Sequence, residues 1–354
     1  IGLTPAHIDV KEGRATFGAM HVGLLYRVDG DPRRNWFTVV DTQGAMKQIP
    51  VQLELGADYG KWGGDLSFDG EAFVLHWQSR NATTGLDEIR GLRVREDPLE
   101  VGESYVVTTE GNDDPLGVFP AKSFIRSESI DDHTLVTFSR DLYNNFLDMT
   151  VTANYATVLN KQGQMLQEGV LPTGIMLPFS FETHVHRVQD EFLVLWVAAD
   201  INETSEADPN QPQRIYGARI TADSAVNPAQ YPKTQILKAP HARGEVTAIG
   251  HPHHYAVLAW TDQRTHVDGS ADGKIDLRYQ PIDGSLSLAT STPLGDENAT
   301  VSERVIPHAR FIADSGQING VALDTNIFLT WTDERTGGTV VNSRPEVYFE
   351  TLWY

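Results

Sequence analysis

Hydrophobic residues along this chain follow a pattern that recurs at intervals of roughly sixty residues. In each of five copies, an apolar run ends in an aromatic residue, and a polar group follows that often contains Asp and Arg. The five aromatic residues are Trp77, Phe138, Trp196, Trp260 and Trp331. Short apolar runs bounded by Gly, Asn and Asp are typical of β-strands, and long helical periodicity is absent. A degenerate sixth copy ends near Tyr26.

Each copy also contains strand-like segments before and after the aromatic run. A proline lies about twenty residues ahead of the aromatic residue in four copies, where a first strand would begin. A third strand-like run follows, such as Ile215–Ile220, and then a turn and a fourth, such as Val106–Thr109. Four short strands in each repeat predict an all-β fold, a single β-propeller of about six four-stranded blades. Five or seven blades are the alternatives.

The repeat divides the chain into blades that together form one predicted domain, residues 1–354. The blades cover residues 11–58, 59–115, 116–174, 175–236, 237–300 and 301–354. The last blade ends after its third strand, and a strand-like segment, Ala6–Val10, precedes the first blade. We expect this N-terminal strand to complete the last blade, because that would cover an exposed sheet edge.

Three segments carry a family resemblance: Trp260–Arg264, Trp331–Arg335 and Arg214–Ile220. They resemble blades of the TolB-like propeller repeats of bacterial exported proteins. The resemblance spans most of the chain and is strongest in residues 180–350. It implies a propeller fold and a bacterial origin. It leaves function open, because that architecture hosts binding modules, lyases and hydrolases.

The charge balance narrows the class of partner. The chain has 28 Lys and Arg against 48 Asp and Glu, a formal net charge of −20, and no Cys. Nucleic acid and anionic lipid would be repelled, so we expect neither a nucleic-acid partner nor membrane insertion. No apolar run is long enough for a membrane-spanning helix. We expect a secreted protein, extracellular or periplasmic, with any signal peptide already removed from Ile1.

Two neighbouring repeats share a short motif that suggests chemistry. Pro240 is followed by His241-Ala242-Arg243, and Pro307 by His308-Ala309-Arg310. In each, His and Arg are two residues apart and would share one strand face. First strands of propeller blades line the central channel, so these pairs could bind an anion, or a His could act as a base beside an Arg. The alternative is that two adjacent repeats simply resemble each other. The repeated Trp, Asp and Arg residues, including Arg80, Arg264 and Arg335, are interpreted as scaffold.

Two groups suggest metal sites. Asp268, Asp272 and Asp276 lie in a glycine-containing loop, and carboxylates on a tightly turning chain suit Ca²⁺. Ordinary Asp-Gly turns are the alternative. His184 and His186 alternate on a predicted strand, which suits a transition metal if a third ligand is near.

Two functions follow as hypotheses. The first is an extracellular binding or adhesion module that recognises a glycan or a cell-surface protein through variable loops on a rigid scaffold. The second is a polysaccharide lyase that acts on uronate-containing glycans. In that case His241 or His308 would take the proton, and Arg243 or Arg310 would neutralise the carboxylate.

Overall fold

A computed structural model describes sixteen stretches of the chain, and the statements below concern these alone. They are residues 10–28, 34–53, 64–80, 87–109, 122–144, 149–171, 183–199, 213–221, 234–238, 242–251, 254–262, 276–287, 304–306, 318–323, 326–333 and 346–353. All the regular elements in these stretches are β-strands, which confirms the all-β prediction. Within them no helix is long and apolar enough to cross a membrane.

The strands form six sheets, each built from consecutive segments of the chain. The first sheet contains β1 (Val10–Phe17), β2 (His21–Val28), β3 (Arg34–Asp41) and β4 (Met46–Gln52). The second contains β5 (Gly64–Phe68), β6 (Ala72–Arg80), β7 (Asp87–Arg95), β8 (Glu100–Val101) and β9 (Tyr105–Thr109). Both β8 and β9 pair with β7, so the outermost strand of this sheet is interrupted between Val101 and Tyr105.

In the third and fourth sheets the strands also pair in the order in which they occur along the chain. The third contains β10 (Lys122–Ile130), β11 (His133–Asn144), β12 (Met149–Asn160) and β13 (Met165–Val170). The fourth contains β14 (Thr183–Val188), β15 (Glu191–Ala199), β16 (Gln213–Thr221) and β17 (Thr234–Lys238).

The fifth sheet again has four strands, and the sixth has three among the described residues. The fifth contains β18 (Ala242–Gly250), β19 (Ala256–Asp262), β20 (Asp276–Ile282) and β21 (Arg304–Ile306). The sixth contains β22 (Ile318–Leu323), β23 (Asn326–Asp333) and β24 (Glu346–Trp353). The predicted closure of this sheet by Ala6–Val10 falls mostly outside the described residues. Val10 itself is instead the first residue of β1, opposite Val28.

The aromatic residues of the repeat lie on the second strand of every sheet. These anchors are Tyr26, Trp77, Phe138, Trp196, Trp260 and Trp331. The indole rings of Trp77, Trp196 and Trp260 are fully buried, which confirms that they belong to the core. On β6 every side chain from Ala72 to Ser79 is buried, so both faces of this strand are covered. That explains why second strands read as continuous apolar runs.

The chain divides into two compact units. One comprises Ile1–Val185 with Thr221–Tyr231, and the other His186–Ile220 with Pro232–Tyr354. In the first unit, Phe37, Phe73 and Trp77 belong to one core between the first and second sheets. Ile89, Ile125 and Phe138 belong to another between the second and third. In the second unit, one core joins the fourth and fifth sheets.

An arginine on the third strand links neighbouring sheets in both units. Arg93 on β7 forms an ion pair with Asp69 in the turn before β6, and it donates to the carbonyl oxygen of Lys161 in the next sheet. Arg219 on β16 repeats this arrangement. It contacts Glu191 Oε1 at 2.6 Å through its terminal nitrogen, and it donates to the carbonyl oxygen of Gly284 in the next sheet. We call each of these an arginine clasp.

Replacing Arg93 by Met should destabilise the first unit by about 3 kcal/mol, because it leaves the buried Asp69 carboxylate without its cation. Arg95→Met is the matched control. Arg95 lies two residues along the same strand, its partner Glu100 is 3.8 Å away and both are exposed, so its loss should cost less than about 0.5 kcal/mol. Urea unfolding measures both. Equal losses would show that the clasp contributes no more than a surface ion pair.

Candidate functional site

The structure places few of the residues that the sequence suggested for chemistry. Five lie outside the described stretches: His241, His308, Arg310, Asp268 and Asp272. Arg243 is the second residue of β18 and Asp276 is the first residue of β20, where it lies opposite Asp262. The side chains of Arg243 and Asp276 are not described. The catalytic and calcium assignments therefore stay predictions.

His184 and His186 both lie on β14, as the sequence suggested. His184 is buried, His186 is half-buried, and Val185 separates them. In the described part of the chain, no three His, Asp or Glu side chains gather into a group that could hold a metal ion. The transition-metal assignment needs a third ligand, so it also stays a prediction.

One position on the first strand of each sheet is occupied by polar residues. It lies directly opposite the residue that precedes the aromatic anchor on the second strand. Pairing at this position is described in five sheets, and it is occupied by Arg14, Asp65, Arg126, Thr247 and Asn319. Three charged residues therefore occupy equivalent positions on β1, β5 and β10 of the first unit. We call this the first-strand polar position.

Side chains at this position connect the first three sheets. Arg14 Nε lies 3.4 Å from Asp65 Oδ1, and the backbone N–H of Ser127 donates to Asp65 Oδ2 over 2.8 Å. The carboxylate thus accepts from two different sheets. It also satisfies a backbone amide on β10 that would otherwise need another acceptor. Arg14 and Asp65 retain 18% and 13% of their side-chain exposure, so both reach solvent.

Buried hydroxyl groups near the charged residues form further hydrogen bonds between the second and third sheets. Ser67 Oγ lies 2.8 Å from Ser129 Oγ, and Ser129 Oγ lies 2.9 Å from Thr134 Oγ1. Arg126 is mostly buried, and one of its terminal nitrogens donates to the carbonyl oxygen of Ile125 over 2.9 Å. A carboxylate acceptor and guanidinium donors held by neighbouring strands form a rigid group suited to a ligand with many hydroxyls.

A histidine and a tyrosine lie on the same sheet as Asp65. Asp65, His76, Gly91 and Tyr105 are successive partners across β5, β6, β7 and β9. His76 Nε2 lies 3.2 Å from the Tyr105 hydroxyl oxygen, and His76 Nδ1 has no hydrogen-bond partner. The Tyr105 ring occupies the space that a Cβ would need at Gly91 or Gly163. His76 is completely buried, so its imidazole does not reach the surface, and Tyr105 is half-buried.

Burial controls the protonation of this pair. It lowers the pKa of His76 to about 3, so the imidazole is neutral at pH 7. It also raises the pKa of the Tyr105 hydroxyl, which therefore stays protonated. The pair is a structural element of the second sheet. His76 lies on β6, directly opposite the partly exposed Asp65 on β5.

Sequence reasoning missed Arg14, Asp65 and Arg126. The side-chain charge changes sign from Arg14 to Asp65 and again to Arg126, and the positions are 51 and 61 residues apart. A search by residue type therefore finds no repeat. What the three residues share is their pairing, because each lies opposite the residue that precedes an aromatic anchor. This common register can be recognised when the hairpins formed by the first and second strands are aligned on their anchors.

Comparison with known proteins shows the fold. No protein-family model and no curated protein matches the chain. An α-L-arabinofuranosidase from Fusarium graminearum, in complex with an iminosugar inhibitor, matches with a TM-score of 0.53 and 8% identity. An α-L-arabinanase from Penicillium chrysogenum, complexed with arabinobiose, matches with a TM-score of 0.52 and 8% identity. Each match covers 99% of this chain and 95% of the other.

A third solved structure is similar over nearly as much of the chain. It is a neuraminidase-like protein of A/little yellow-shouldered bat/Guatemala, with a TM-score of 0.50 and 9% identity. The match covers 93% of this chain and 92% of that one. The neuraminidase-like protein and the arabinanase are β-propellers. At these identities the likeness concerns architecture alone, and it confirms that this chain has a β-propeller fold.

The His76 imidazole predicts how stability depends on pH. Its pKa is about 3 in the folded protein and 6.5 ordinarily, so between these values the unfolded chain binds a proton that the folded chain does not. The free energy of unfolding should therefore fall as pH drops from 6.5 towards 3, by up to about 1.4 kcal/mol per pH unit from this group.

Two variants separate burial from hydrogen bonding in that experiment. His76→Gln should flatten the slope measured by urea unfolding across this pH range. Tyr105→Phe should keep the slope but lower stability at pH 7 by about 1 kcal/mol, because it removes one hydrogen bond. An unchanged slope in His76→Gln would disprove the role assigned to this histidine.

Proposed function

We propose that this protein is a secreted carbohydrate-binding propeller that holds a glycan against the first strands of its first three sheets. The observation that carries the proposal is the first-strand polar position. Arg14, Asp65 and Arg126 occupy it on the first strands of three successive sheets, and two of them remain partly exposed.

Energetic cost supports a functional role for these residues. Removing charged groups from water is unfavourable unless they are well paired, and apolar residues would serve packing as well or better. Asp65 joins the strands through Arg14 and Ser127, which holds its carboxylate in one orientation. A preorganised carboxylate can accept hydrogen bonds from sugar hydroxyls, and the guanidinium of Arg14 can donate them.

The structural neighbours agree with this ligand class. One is complexed with arabinobiose and another with an iminosugar inhibitor. Taken to this chain as a proposal, these names favour a carbohydrate over a peptide. The recognition of a cell-surface protein through its sugars is included in this proposal.

A second candidate is a polysaccharide lyase that acts on uronate-containing glycans. The observation in its favour is that Arg243 lies on a first strand, β18, two residues after His241 in sequence. His241 or His308 would remove a proton, and Arg243 or Arg310 would stabilise the negative charge that develops on the carboxylate. The net charge of −20 counts against a polyanionic substrate.

The remaining expectations belong to the same proposal. We propose export in bacteria, extracellular or periplasmic, as the resemblance to TolB-like repeats implies, without a nucleic-acid partner or membrane insertion. We also propose Ca²⁺ at Asp268, Asp272 and Asp276. A fall in melting temperature on adding chelator would support the ion, and an unchanged value would count against it.

Glycan binding is tested by an array screen followed by calorimetry with the best ligand. Asp65→Asn and Arg14→Gln should each weaken binding at least about tenfold, because each removes a charged hydrogen-bonding group. Glu100→Gln is the matched control, since Glu100 is an exposed carboxylate on the outermost strand β8 and should bind like the wild type. Circular dichroism verifies that each variant is folded. Unchanged affinity in both site variants would refute the assignment.

The lyase candidate is tested by absorbance of the unsaturated product during incubation with uronate polysaccharides. We expect no signal if the protein only binds. A signal that either His241→Ala or His308→Ala abolishes would replace the binding proposal with the lyase. A signal that both variants keep would exclude these two histidines.

A further inference from the structure

The short turns at one end of the first three sheets contact one another, and we call this end the turn-end face. It consists of the short turns between first and second strands and between third and fourth strands. Glu96, after β7, accepts hydrogen bonds from the backbone N–H groups of Ala19, Met20 and His21 over 2.6–2.8 Å. Lys161, after β12, lies 2.9 Å from Glu71 in the turn before β6. These contacts place the turns of all three sheets on one side.

Exposed apolar side chains concentrate on this face. Phe17, at the end of β1, is 76% exposed, and Met20 in the following turn is 50% exposed. Four more exposed residues lie within the first two positions of outermost strands: Met46, Val101, Met165 and Leu166. Among the side chains that the structure describes, Val106 is the one other large exposed hydrophobic residue. Exposed apolar groups that lie close together, as Phe17 and Met20 do in the chain, mark interaction sites more often than single ones do.

The turn that carries Phe17 and Met20 is held rigidly. Glu96 is buried, and its carboxylate binds three consecutive backbone amides. Burial alone would raise the pKa of Glu96, but the donated hydrogen bonds outweigh it and lower the pKa overall, so the group is ionised at pH 7. A rigid turn loses little entropy when it docks, and aromatic anchors of this kind dominate many interfaces.

The charge on the same face indicates the chemistry of the partner. Six exposed acidic residues lie in or next to the turns of the second and third sheets: Glu71, Asp97, Glu100, Glu103, Asp131 and Asp132. The described Lys and Arg residues at the turns of this face are fewer: Lys47, Arg93, Arg95 and Lys161. Anionic lipid and a second copy of this acidic chain would both be repelled. An apolar surface with an acidic rim suits a basic, apolar polypeptide.

We propose that the turn-end face docks a basic protein segment whose apolar side chains cover Phe17 and Met20. This surface is separate from the first-strand polar position, so the protein would hold a glycan and a protein partner at different places. The proposal rests on exposure and charge in the first unit, and it stands whether or not the glycan site is correct.

The test uses three labelled peptides in fluorescence anisotropy: alternating Lys and Leu, alternating Glu and Leu, and alternating Lys and Ser. The Lys–Leu peptide should bind, and the other two should bind at least about tenfold more weakly, because each lacks one of the two complementary features. Equal binding of the Lys–Leu and Lys–Ser peptides would reduce the interaction to net charge and overturn the proposal.

Variants locate the binding on the molecule. The double change Phe17→Ser with Met20→Ser should weaken Lys–Leu binding about tenfold, and Val106→Ser, an exposed residue away from the turns, should leave it unchanged. If the double variant folds poorly, Phe17→Leu serves as a second variant. It keeps an apolar side chain at this position and should therefore retain binding. No binding by the wild type, or equal binding by the double variant, would refute the site. A concentration-dependent dimer in sedimentation that Phe17→Ser abolishes would show a second copy as the occupant instead.

Discussion

The second sheet of this protein must cover two apolar faces, and the arrangement of the first three sheets follows from that constraint. On β6, consecutive side chains point to opposite faces and all are buried from Ala72 to Ser79. Trp77 packs with the first sheet, while Ile89 on the adjacent strand packs with the third. A sheet with two apolar faces is stable only when a neighbouring sheet packs on each face. A single repeat is therefore not expected to be stable without its neighbours.

The polar interactions are arranged around this packing. Arginine clasps at Arg93 and Arg219 join a third strand to its own sheet and to the turn of the next. Glu96 holds the turn after β1 against the second sheet, because its carboxylate accepts hydrogen bonds from three backbone amides of that turn. With the faces occupied by packing and the turns fixed by these contacts, the first strands hold the partly exposed Arg14 and Asp65 in defined positions. That is the physical basis for assigning binding to them.

The fold could be predicted from the sequence, whereas the first-strand polar position could not, for reasons visible in particular residues. The aromatic anchors repeat in type and position, so Trp77, Trp196 and Trp260 identified second strands without any structure. The clasp residues also repeat in sequence, as Ile89-x-Gly91-x-Arg93 and Ile215-x-Gly217-x-Arg219, but their partners are visible only in the structure. Asp65 could not be recognised because its partners, Arg14 and the Ser127 amide, come from other repeats and differ in kind.

The central claim is that a glycan is held against β1, β5 and β10. Hydrogen–deuterium exchange with and without the best glycan from an array measures this directly, since a bound ligand slows amide exchange where it lies. The account predicts slower exchange in residues 64–67 and 125–128, including the Ser127 amide bonded to Asp65. Slowing that is absent there and confined to other strands or to the turn-end face would contradict it.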